Sequence, residues 1–143
     1  MLIGISPLIG PELLAVLCRM GHGDEIVLAD AHFPGETFNS RVLRADGIKV
    51  ADLLNAILPL MMLDDYVSDP VVMMAGGEDC DSNSSIERQY RAAIDAHWPK
   101  TPPITRLERF AFYERTRNAF AVVMTGEVAK YGNIILKKGV TPV

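Results

Sequence analysis

Two stretches in the first half of the chain place apolar side chains at the spacing of an amphipathic helix. The first opens at Pro11, since proline favours the first helical position, and Gly21 stands where a left-handed cap would end it. Its apolar stripe comprises Leu13, Leu14, Val16, Leu17 and Met20. The second covers residues 50–58 and stops at Pro59, because proline disfavours helix in the residue before it. We therefore predict a helix at each place.

Short apolar runs between and after these helices predict strands. Residues 70–75 (PVVMMA) are almost entirely apolar, as in a strand that is covered on both faces, and residues 25–29 (EIVLA) form a similar run. Ser84 with Glu87 three residues later is a capping box that begins a third helix, and residues 109–118 are predicted as a fourth. The remaining predicted strands are residues 41–43, 104–107, 119–125 and 133–137.

This alternation of strands and helices predicts an α/β fold with a central, largely parallel sheet. Only seven residues, 126–132, separate the last two strands, which is too few for a crossover helix. We therefore expect those two strands to pair antiparallel and the sheet to be mixed. No linker or repeat divides the 143 residues, so a single domain over residues 1–143 is predicted.

Composition narrows the classes of partner. The chain has 14 Lys plus Arg against 18 Asp plus Glu, a net charge of −4, which argues against binding to nucleic acid. The two cysteines, Cys18 and Cys80, do not form a disulfide framework and suit a reducing compartment. No secretory signal is visible, and the longest apolar stretch, residues 56–63, is too short to span a bilayer. We expect a cytoplasmic protein with no membrane partner.

The densest polar cluster brackets the strand predicted at residues 25–29. His22 precedes the strand between two glycines, and Asp30 and His32 follow its carboxyl end, where α/β sheets usually build ligand sites. Histidine donates and accepts protons near neutral pH, which makes His22 the candidate acid–base group. The alternative is that His22 only supplies a favourable cation at a helix C-terminus. For His32 we expect a hydrogen bond within the loop rather than a place in the pocket.

The same cluster allows a metal-site interpretation, in which the ligands would be His22, Asp24, Asp30 and His32. The spacings that identify metal sites, HxH, HExxH and paired CxxC, are absent from the sequence, so we expect no metal. A glycine-rich phosphate loop and a GxSxG nucleophile elbow are absent as well, which argues against a nucleotide site and a serine hydrolase.

Two further segments carry groups that suit a small polar ligand. Residues 109–115 (RFAFYER) place aromatic rings beside arginines, although a half-buried amphipathic helix would look the same. In residues 130–133 (KYGN), Tyr131 and Asn133 supply neutral donors and acceptors, and Gly132 permits a close backbone approach. Such groups suit sugar hydroxyls better than phosphates, while the alternative is an ordinary tight turn.

Together and in this order, these segments resemble the L-fucose mutarotase family, in the wider group that includes ribose pyranase. The resemblance extends over the whole chain and is weaker only at residues 75–83 and 95–103. The motifs that carry it are the opening ISPLIGPELLAVLCRMGHGDEIVLADAHFP, RADG at 44–47, RFAFYER at 109–115, TGE at 125–127 and KYGNIILKKGVTP at 130–142.

The resemblance implies interconversion of the α and β anomers of a free sugar, with neither a metal nor an organic cofactor. The proton-donating histidine of the family falls on His22. The sugar-binding positions fall on Asp30, Arg109, Tyr131, Gly132 and Asn133. The implied fold is a three-layer α/β/α unit with the sheet in the middle. Related proteins assemble into rings, commonly decamers, with pockets at or near subunit contacts, so a homo-oligomer is expected.

The chemistry of anomer exchange agrees with these residues. A pyranose opens when its anomeric hydroxyl loses a proton and its ring oxygen gains one, so we expect His22 to act as acid in opening and as base in closure. We expect Asp30 to orient the sugar or tune His22, and Arg109 to hold sugar oxygens. Two rivals remain: a sugar-binding or transport-associated protein without catalysis, and a metal-dependent hydrolase or isomerase. The choice of L-fucose rests on the resemblance alone.

Overall fold

A computed structural model describes residues 1–76 and 85–143, and these ranges contain five helices and six strands. The helices are α1 (Pro11–Arg19), α2 (Gly35–Phe38), α3 (Val50–Ile57), α4 (Ser85–His97) and α5 (Arg109–Asn118). The strands are β1 (Glu25–Ala29), β2 (Val42–Ala45), β3 (Val71–Met74), β4 (Thr105–Leu107), β5 (Ala121–Thr125) and β6 (Ile134–Lys137).

The strands form one sheet in the order β2-β5-β1-β6-β3-β4. Strand β6 runs antiparallel to both of its neighbours, β1 and β3, while the other neighbouring pairs are parallel. The predicted mixed and largely parallel sheet is therefore confirmed. The expected pairing of the last two strands is wrong, because β1 lies between them and β5 is already paired on both edges by β2 and β1.

Both faces of the sheet are covered by helices. Along β1, Ile26 and Leu28 belong to a core cluster with residues of α1, α3 and α4, whereas Val27 and Ala29 belong to a second cluster that contains Phe112 of α5. This alternation is the period-two pattern of a strand buried on both sides. The three-layer α/β/α arrangement is thus confirmed, with α2 and α5 on one face and α1, α3 and α4 on the other.

Most predicted elements are present, with shifts of a residue or two at their ends. The predicted bounds of β1 and α5 agree with the structure. The left-handed cap at Gly21 is wrong: Met20 closes α1 in an extended conformation, and the positive φ falls at Gly23 instead. The buried Met20 side chain favours this ending because it packs into the core. The capping box at Ser84 lies outside the described residues, and the short helix α2 was not predicted.

Candidate active site

A cavity of about 410 Å³ opens at the edge of the sheet where β1 and β3 end and β6 begins. We call it the edge cavity. Its lining residues are Asp30, His32, Phe33, Pro34, Met74, Arg109, Tyr113, Lys130, Tyr131 and Asn133. The carboxyl ends of parallel strands are where α/β proteins place their ligands, because the connecting loops diverge there. Four of the predicted sugar-binding side chains therefore converge on one cavity.

Asp30 and Asn133 are adjacent because of the sheet topology. Residue 28 of β1 pairs with residue 134 of the antiparallel β6, so the residues just beyond that pair lie at the same edge. The Asp30 backbone N–H donates to Asn133 Oδ1 at 2.7 Å, and Asp30 Oδ1 accepts the His32 N–H at 2.9 Å. Both side chains are largely buried, at 6% and 3% exposure. The Asn133 Nδ2 group makes no hydrogen bond within the described ranges.

Burial changes the acidity of Asp30. Desolvation raises the pKa of this carboxyl above its ordinary value, and the hydrogen bond from the His32 backbone N–H only partly opposes the rise. A desolvated carboxylate gains the most from a new hydrogen-bond donor. Asp30 is therefore suited to accept a hydrogen bond from a hydroxyl group of a neutral polar ligand.

The loop before β6 holds Tyr131 at the mouth of the edge cavity. Tyr131 has a φ of 56°, the only positive φ of a residue other than glycine in the described part of the chain. This left-handed conformation is unfavourable for a tyrosine and persists only where neighbouring contacts fix it. Strained backbone of this kind is concentrated at binding sites, and here it presents the ring to the cavity.

The contacts that fix this loop come from buried polar groups beneath it. The Tyr90 hydroxyl of α4 donates to the Gly132 carbonyl at 2.7 Å. Glu127 Oε1 accepts the backbone N–H groups of Val128 and Ala129, each at 2.9 Å. A Cβ on Gly132 would lie 2.9 Å from the Ala129 carbonyl oxygen, so only glycine fits. Gly132 thus shapes the site without lining the cavity.

Arg109 reaches the edge cavity from the start of α5. Glu108 caps this helix through hydrogen bonds from the Phe110 and Ala111 N–H groups, at 3.0 and 3.1 Å, which places Arg109 in the first turn. The guanidinium Nε donates to the Tyr113 hydroxyl at 2.9 Å. Its two terminal nitrogens make no hydrogen bond within the described ranges and are available to a ligand. The predicted helix at 109–118 and the predicted binding role of Arg109 are therefore compatible.

His22 lies at the other edge of the sheet, before β1 begins. Its Nε2 is 3.1 Å from Asp64 Oδ1, and its ring centroid is 5.2 Å from that of Tyr66. The His22 side chain is 46% exposed, whereas the Asp64 side chain is only 3% exposed. Because an ionised carboxylate only accepts, this contact requires a proton on Nε2, which leaves Nδ1 to exchange protons.

Asp64 was not predicted as part of the site. Burial raises the pKa of its carboxyl, but hydrogen bonds from the Tyr66 backbone N–H and from His22 outweigh burial and hold it below the ordinary value. Asp64 therefore stays ionised and orients the imidazole. The signal that sequence reasoning overlooked is a carboxylate directly after the apolar run at residues 56–63.

The polar cluster that brackets β1 is therefore divided between two edges. Five residues of strand span roughly 17 Å, so His22 and Asp30 of one chain do not meet. The expected tuning of His22 by Asp30 is wrong within one chain, since Asp64 is the carboxylate at His22. The four predicted metal ligands are divided in the same way. In residues 1–76 and 85–143, no three His, Cys, Asp or Glu side chains are grouped to hold a metal ion.

His32 both forms a hydrogen bond within its loop and lines the edge cavity. Its backbone N–H makes the expected hydrogen bond within the loop, to Asp30, while its exposed side chain lines the edge cavity. Sequence reasoning missed Phe33 and Met74 as lining residues, because a search for polar groups does not select apolar ones. Tyr113 and Lys130 lie within the motifs RFAFYER and KYGN, although the sequence alone assigns neither of them a role.

Among the described residues, every helix is too short or too polar to cross a membrane.

This chain is similar in sequence and fold to one protein family and to several solved proteins. A model of the RbsD / FucU transport protein family matches residues 3–141. The fucose mutarotase of Streptococcus pneumoniae, solved in complex with L-fucose, is 45% identical with a TM-score of 0.93, and the match covers 99% of this chain and all of that one. FucU from Bifidobacterium longum is 43% identical with a TM-score of 0.91, covering 97% and 99% of the two chains.

A more distant structure shares the fold. RbsD from Bacillus subtilis, solved with D-ribose, is 28% identical to this chain with a TM-score of 0.70, over 99% of this chain and 100% of that one. Each of these structural matches covers at least 97% of this chain and at least 99% of the other.

Proposed function

This chain belongs to the RbsD / FucU transport protein family, and on that premise we propose that it is a mutarotase that interconverts the α and β anomers of L-fucose. The observation that carries the proposal is the convergence of Asp30, Arg109, Tyr131 and Asn133 on one cavity. The relative solved with L-fucose, 45% identical over its whole length, supports the choice of sugar.

The hydroxyls of the sugar would be held by groups whose hydrogen-bonding capacity is unused. Asp30 accepts from one hydroxyl, and the Asn133 Nδ2 group donates to another. The terminal nitrogens of Arg109 donate to a sugar oxygen and stabilise negative charge that develops there during ring opening. Tyr131 covers the ligand from the cavity mouth. Neutral and single-charge groups of this kind bind a polyhydroxylated ring without requiring a charged substrate.

Proton transfer is assigned to the pair formed by His22 and Asp64. Opening the ring requires a proton to leave the anomeric hydroxyl and a proton to reach the ring oxygen, and closure reverses both transfers. Asp64 fixes the imidazole, and the exposed ring is accessible to a reacting group. The edge cavity belongs to a homo-oligomer in this proposal, in which His22 of a second copy reaches the cavity of the first. In a ring-shaped oligomer, such as the decamer that the resemblance implies, His22 of one copy would reach the cavity of its neighbour at each contact.

The required acceleration is modest. General acid–base catalysis contributes roughly 10²–10⁴-fold, and a reaction that already proceeds unaided in water needs little beyond that and positioning. The proposal therefore assigns the reaction to side chains alone.

The test replaces the proposed acid–base group. We expect His22→Ala to lower anomer exchange of L-fucose by roughly 10²–10⁴-fold while sugar binding stays within a few-fold, because the substrate contacts belong to other residues. Exchange is measured by saturation-transfer NMR, and binding by calorimetry. His97→Ala is the matched control, since His97 lies at the end of α4 and outside the edge cavity.

Each outcome separates the function from its rivals. Unchanged exchange in His22→Ala would remove the proposed role of His22. A wild-type protein that binds L-fucose without accelerating exchange would be a sugar-binding protein and not an enzyme. A panel of L-fucose, D-galactose, D-ribose and L-rhamnose then establishes which sugar is preferred.

A further inference from the structure

The floor of the edge cavity is divided into a polar and an apolar half. Four of its lining residues are almost fully buried: Asp30 at 6% exposure, Asn133 at 3%, Phe33 at 6% and Met74 at 3%. The first two carry the hydrogen-bonding groups assigned above. The other two carry none, and together they form what we call the apolar wall.

The apolar wall is a built feature of the fold. Met73 pairs with Ile134 of β6, so Met74 lies beside Asn133 at the end of the neighbouring strand. Phe33 and Met74 belong to the same core cluster, on the face covered by α5. The Phe33 ring is held by edge contacts with Phe112, at 5.8 Å between centroids, and by Tyr113 at 5.7 Å. Its position is therefore fixed by packing.

The apolar wall offers little to a hydroxyl group. The Phe33 N–H donates to the Asp30 carbonyl, and the Phe33 carbonyl accepts from Gly35. The Met74 carbonyl already accepts from Arg106 Nη1 at 2.8 Å. A sugar hydroxyl turned toward this wall would lose its water without gaining a partner, which is costly. An apolar substituent there gains by burial.

We infer that the apolar wall receives the methyl group on C5 of a 6-deoxyhexopyranose, and that Phe33 and Met74 thereby select 6-deoxy sugars over their hydroxylated and shortened counterparts. The inference rests on the proposed mutarotase function and adds the determinant of its specificity. One end of such a sugar is apolar and the remaining ring carries hydroxyls, which matches the two halves of the floor.

Three sugars with the same ring hydroxyl arrangement test the inference on the wild-type protein. L-fucose carries a methyl group on C5, L-galactose carries a hydroxymethyl group, and D-arabinopyranose carries hydrogen. We expect kcat/KM for anomer exchange to be roughly 10-fold higher for L-fucose than for either of the others, since one such group in an apolar pocket changes kcat/KM by this order. The readout is saturation-transfer NMR over a range of sugar concentrations.

The result on wild type separates the two claims. If exchange of none of the three sugars is accelerated, the mutarotase function fails and the specificity inference fails with it. If L-fucose and D-arabinose are exchanged with equal kcat/KM, the mutarotase function survives and the specificity inference is overturned.

Substitutions at Met74 and Phe33 test whether these two residues cause the preference for L-fucose. We expect Met74→Gln to bring the L-fucose to D-arabinose ratio close to 1 and to raise L-galactose relative to L-fucose by roughly 10-fold, because the new amide can pair with the added hydroxyl. Met73→Gln is the matched control. It buries the same amide one residue earlier, on the opposite face of β3, and its sugar ratios are expected to equal those of wild type.

Ratios between sugars on one protein do not depend on the fraction that folds, so a loss of stability does not obscure the result. Phe33→Leu is the second variant: it keeps the wall apolar but removes the ring, and the preference for L-fucose over D-arabinose is expected to fall several-fold. If both Met74→Gln and Phe33→Leu keep the wild-type ratios of kcat/KM between the sugars, the apolar wall contributes to packing and does not select the substrate.

Discussion

Asp30, which is proposed to bind the sugar, carries a buried charge that destabilises the fold. Its carboxyl is buried beside Asn133, and burial raises its pKa. A raised pKa means that the folded chain holds the proton more tightly than the unfolded chain does. The stabilising contribution is therefore complete below the ordinary carboxyl pKa of about 3.9 and is lost as the pH rises through the folded-state pKa. At neutral pH the ionised carboxylate is a net cost to folding.

We predict that Asp30→Asn raises the free energy of unfolding at pH 7 and weakens L-fucose binding by roughly 10-fold. The amide keeps an oxygen for the His32 N–H and carries no charge, so the stability gain should appear only as the pH rises through the folded-state pKa of the wild-type carboxyl. Urea unfolding of both proteins between pH 3 and pH 8 gives the difference. If the difference in free energy of unfolding between Asp30→Asn and wild type stays constant from pH 3 to pH 8, burial of the Asp30 charge is not its cause.

Tyr131 is a second residue that departs from local preference. Its positive φ is unfavourable for any side chain with a Cβ, and the polar contacts under the loop compensate for it. Asp64 shows the reverse case: a buried carboxylate whose partners lower its pKa, so that it remains charged and holds His22.

At the scale of elements, the site depends on how the loop before β6 is attached to α4. The Tyr90 hydroxyl is fully buried and donates to the Gly132 carbonyl, and burial together with the nearby carboxylates of Glu127 and Asp30 raises its pKa far above its ordinary value. The Tyr90 hydroxyl therefore keeps its proton at neutral pH and remains a donor to the Gly132 carbonyl. This one contact connects a helix that does not line the cavity to two residues that bind sugar in our proposal.

We predict that Tyr90→Phe lowers the free energy of unfolding by roughly 1–3 kcal/mol, because a buried carbonyl loses its donor, and raises KM for L-fucose more than it lowers kcat. Trp98→Phe is the control, since it removes a hydrogen bond from the Trp98 indole to the Leu58 carbonyl in the same layer of helices. That variant should lose stability with an unchanged KM. If KM for L-fucose in Tyr90→Phe equals KM in Trp98→Phe, Tyr90 has no positioning role.

At the scale of the whole molecule, the proposed reaction requires groups from two edges of the sheet. Within one chain, β1 separates His22 from the edge cavity by roughly 17 Å. In the proposed homo-oligomer, opposite edges of different copies would come together, so that each site would be completed at a contact. On this proposal the activity belongs to the assembly, although the side chains proposed to bind sugar all come from one chain.

We predict that two inactive variants restore each other. At sugar concentrations below KM, His22→Ala and Asp30→Ala should each exchange L-fucose at least about 10-fold more slowly than wild type. Chains that are dissociated, mixed in equal amounts and reassembled should regain about a quarter of the wild-type rate, because one contact in four pairs an intact His22 with an intact Asp30. Mixing His22→Ala with the doubly substituted chain is the control and should stay inactive. No recovery in the first mixture would place both groups of each site in one chain.

Much of this protein was readable from its sequence because the relevant signals are local. The alternation of apolar runs and amphipathic stretches predicted the elements, and the bounds of β1 and α5 agree with the structure. The motifs around His22, Asp30, Arg109 and Tyr131 predicted both the family and four of the side chains in the cavity. Local signals failed at Gly21, because α1 ends in an extended Met20 whose side chain packs into the core.

What the sequence determined by itself is therefore the type of each element, the fold class and the polar residues available for chemistry, since these follow from spacing along the chain. Only the tertiary structure decided that β1 lies between β5 and β6, that His22 pairs with Asp64 and not with Asp30, and that Phe33 and Met74 close the cavity. These facts depend on which distant segments pack together, and packing is decided by the sum of many weak contacts over the whole chain rather than by any one pattern.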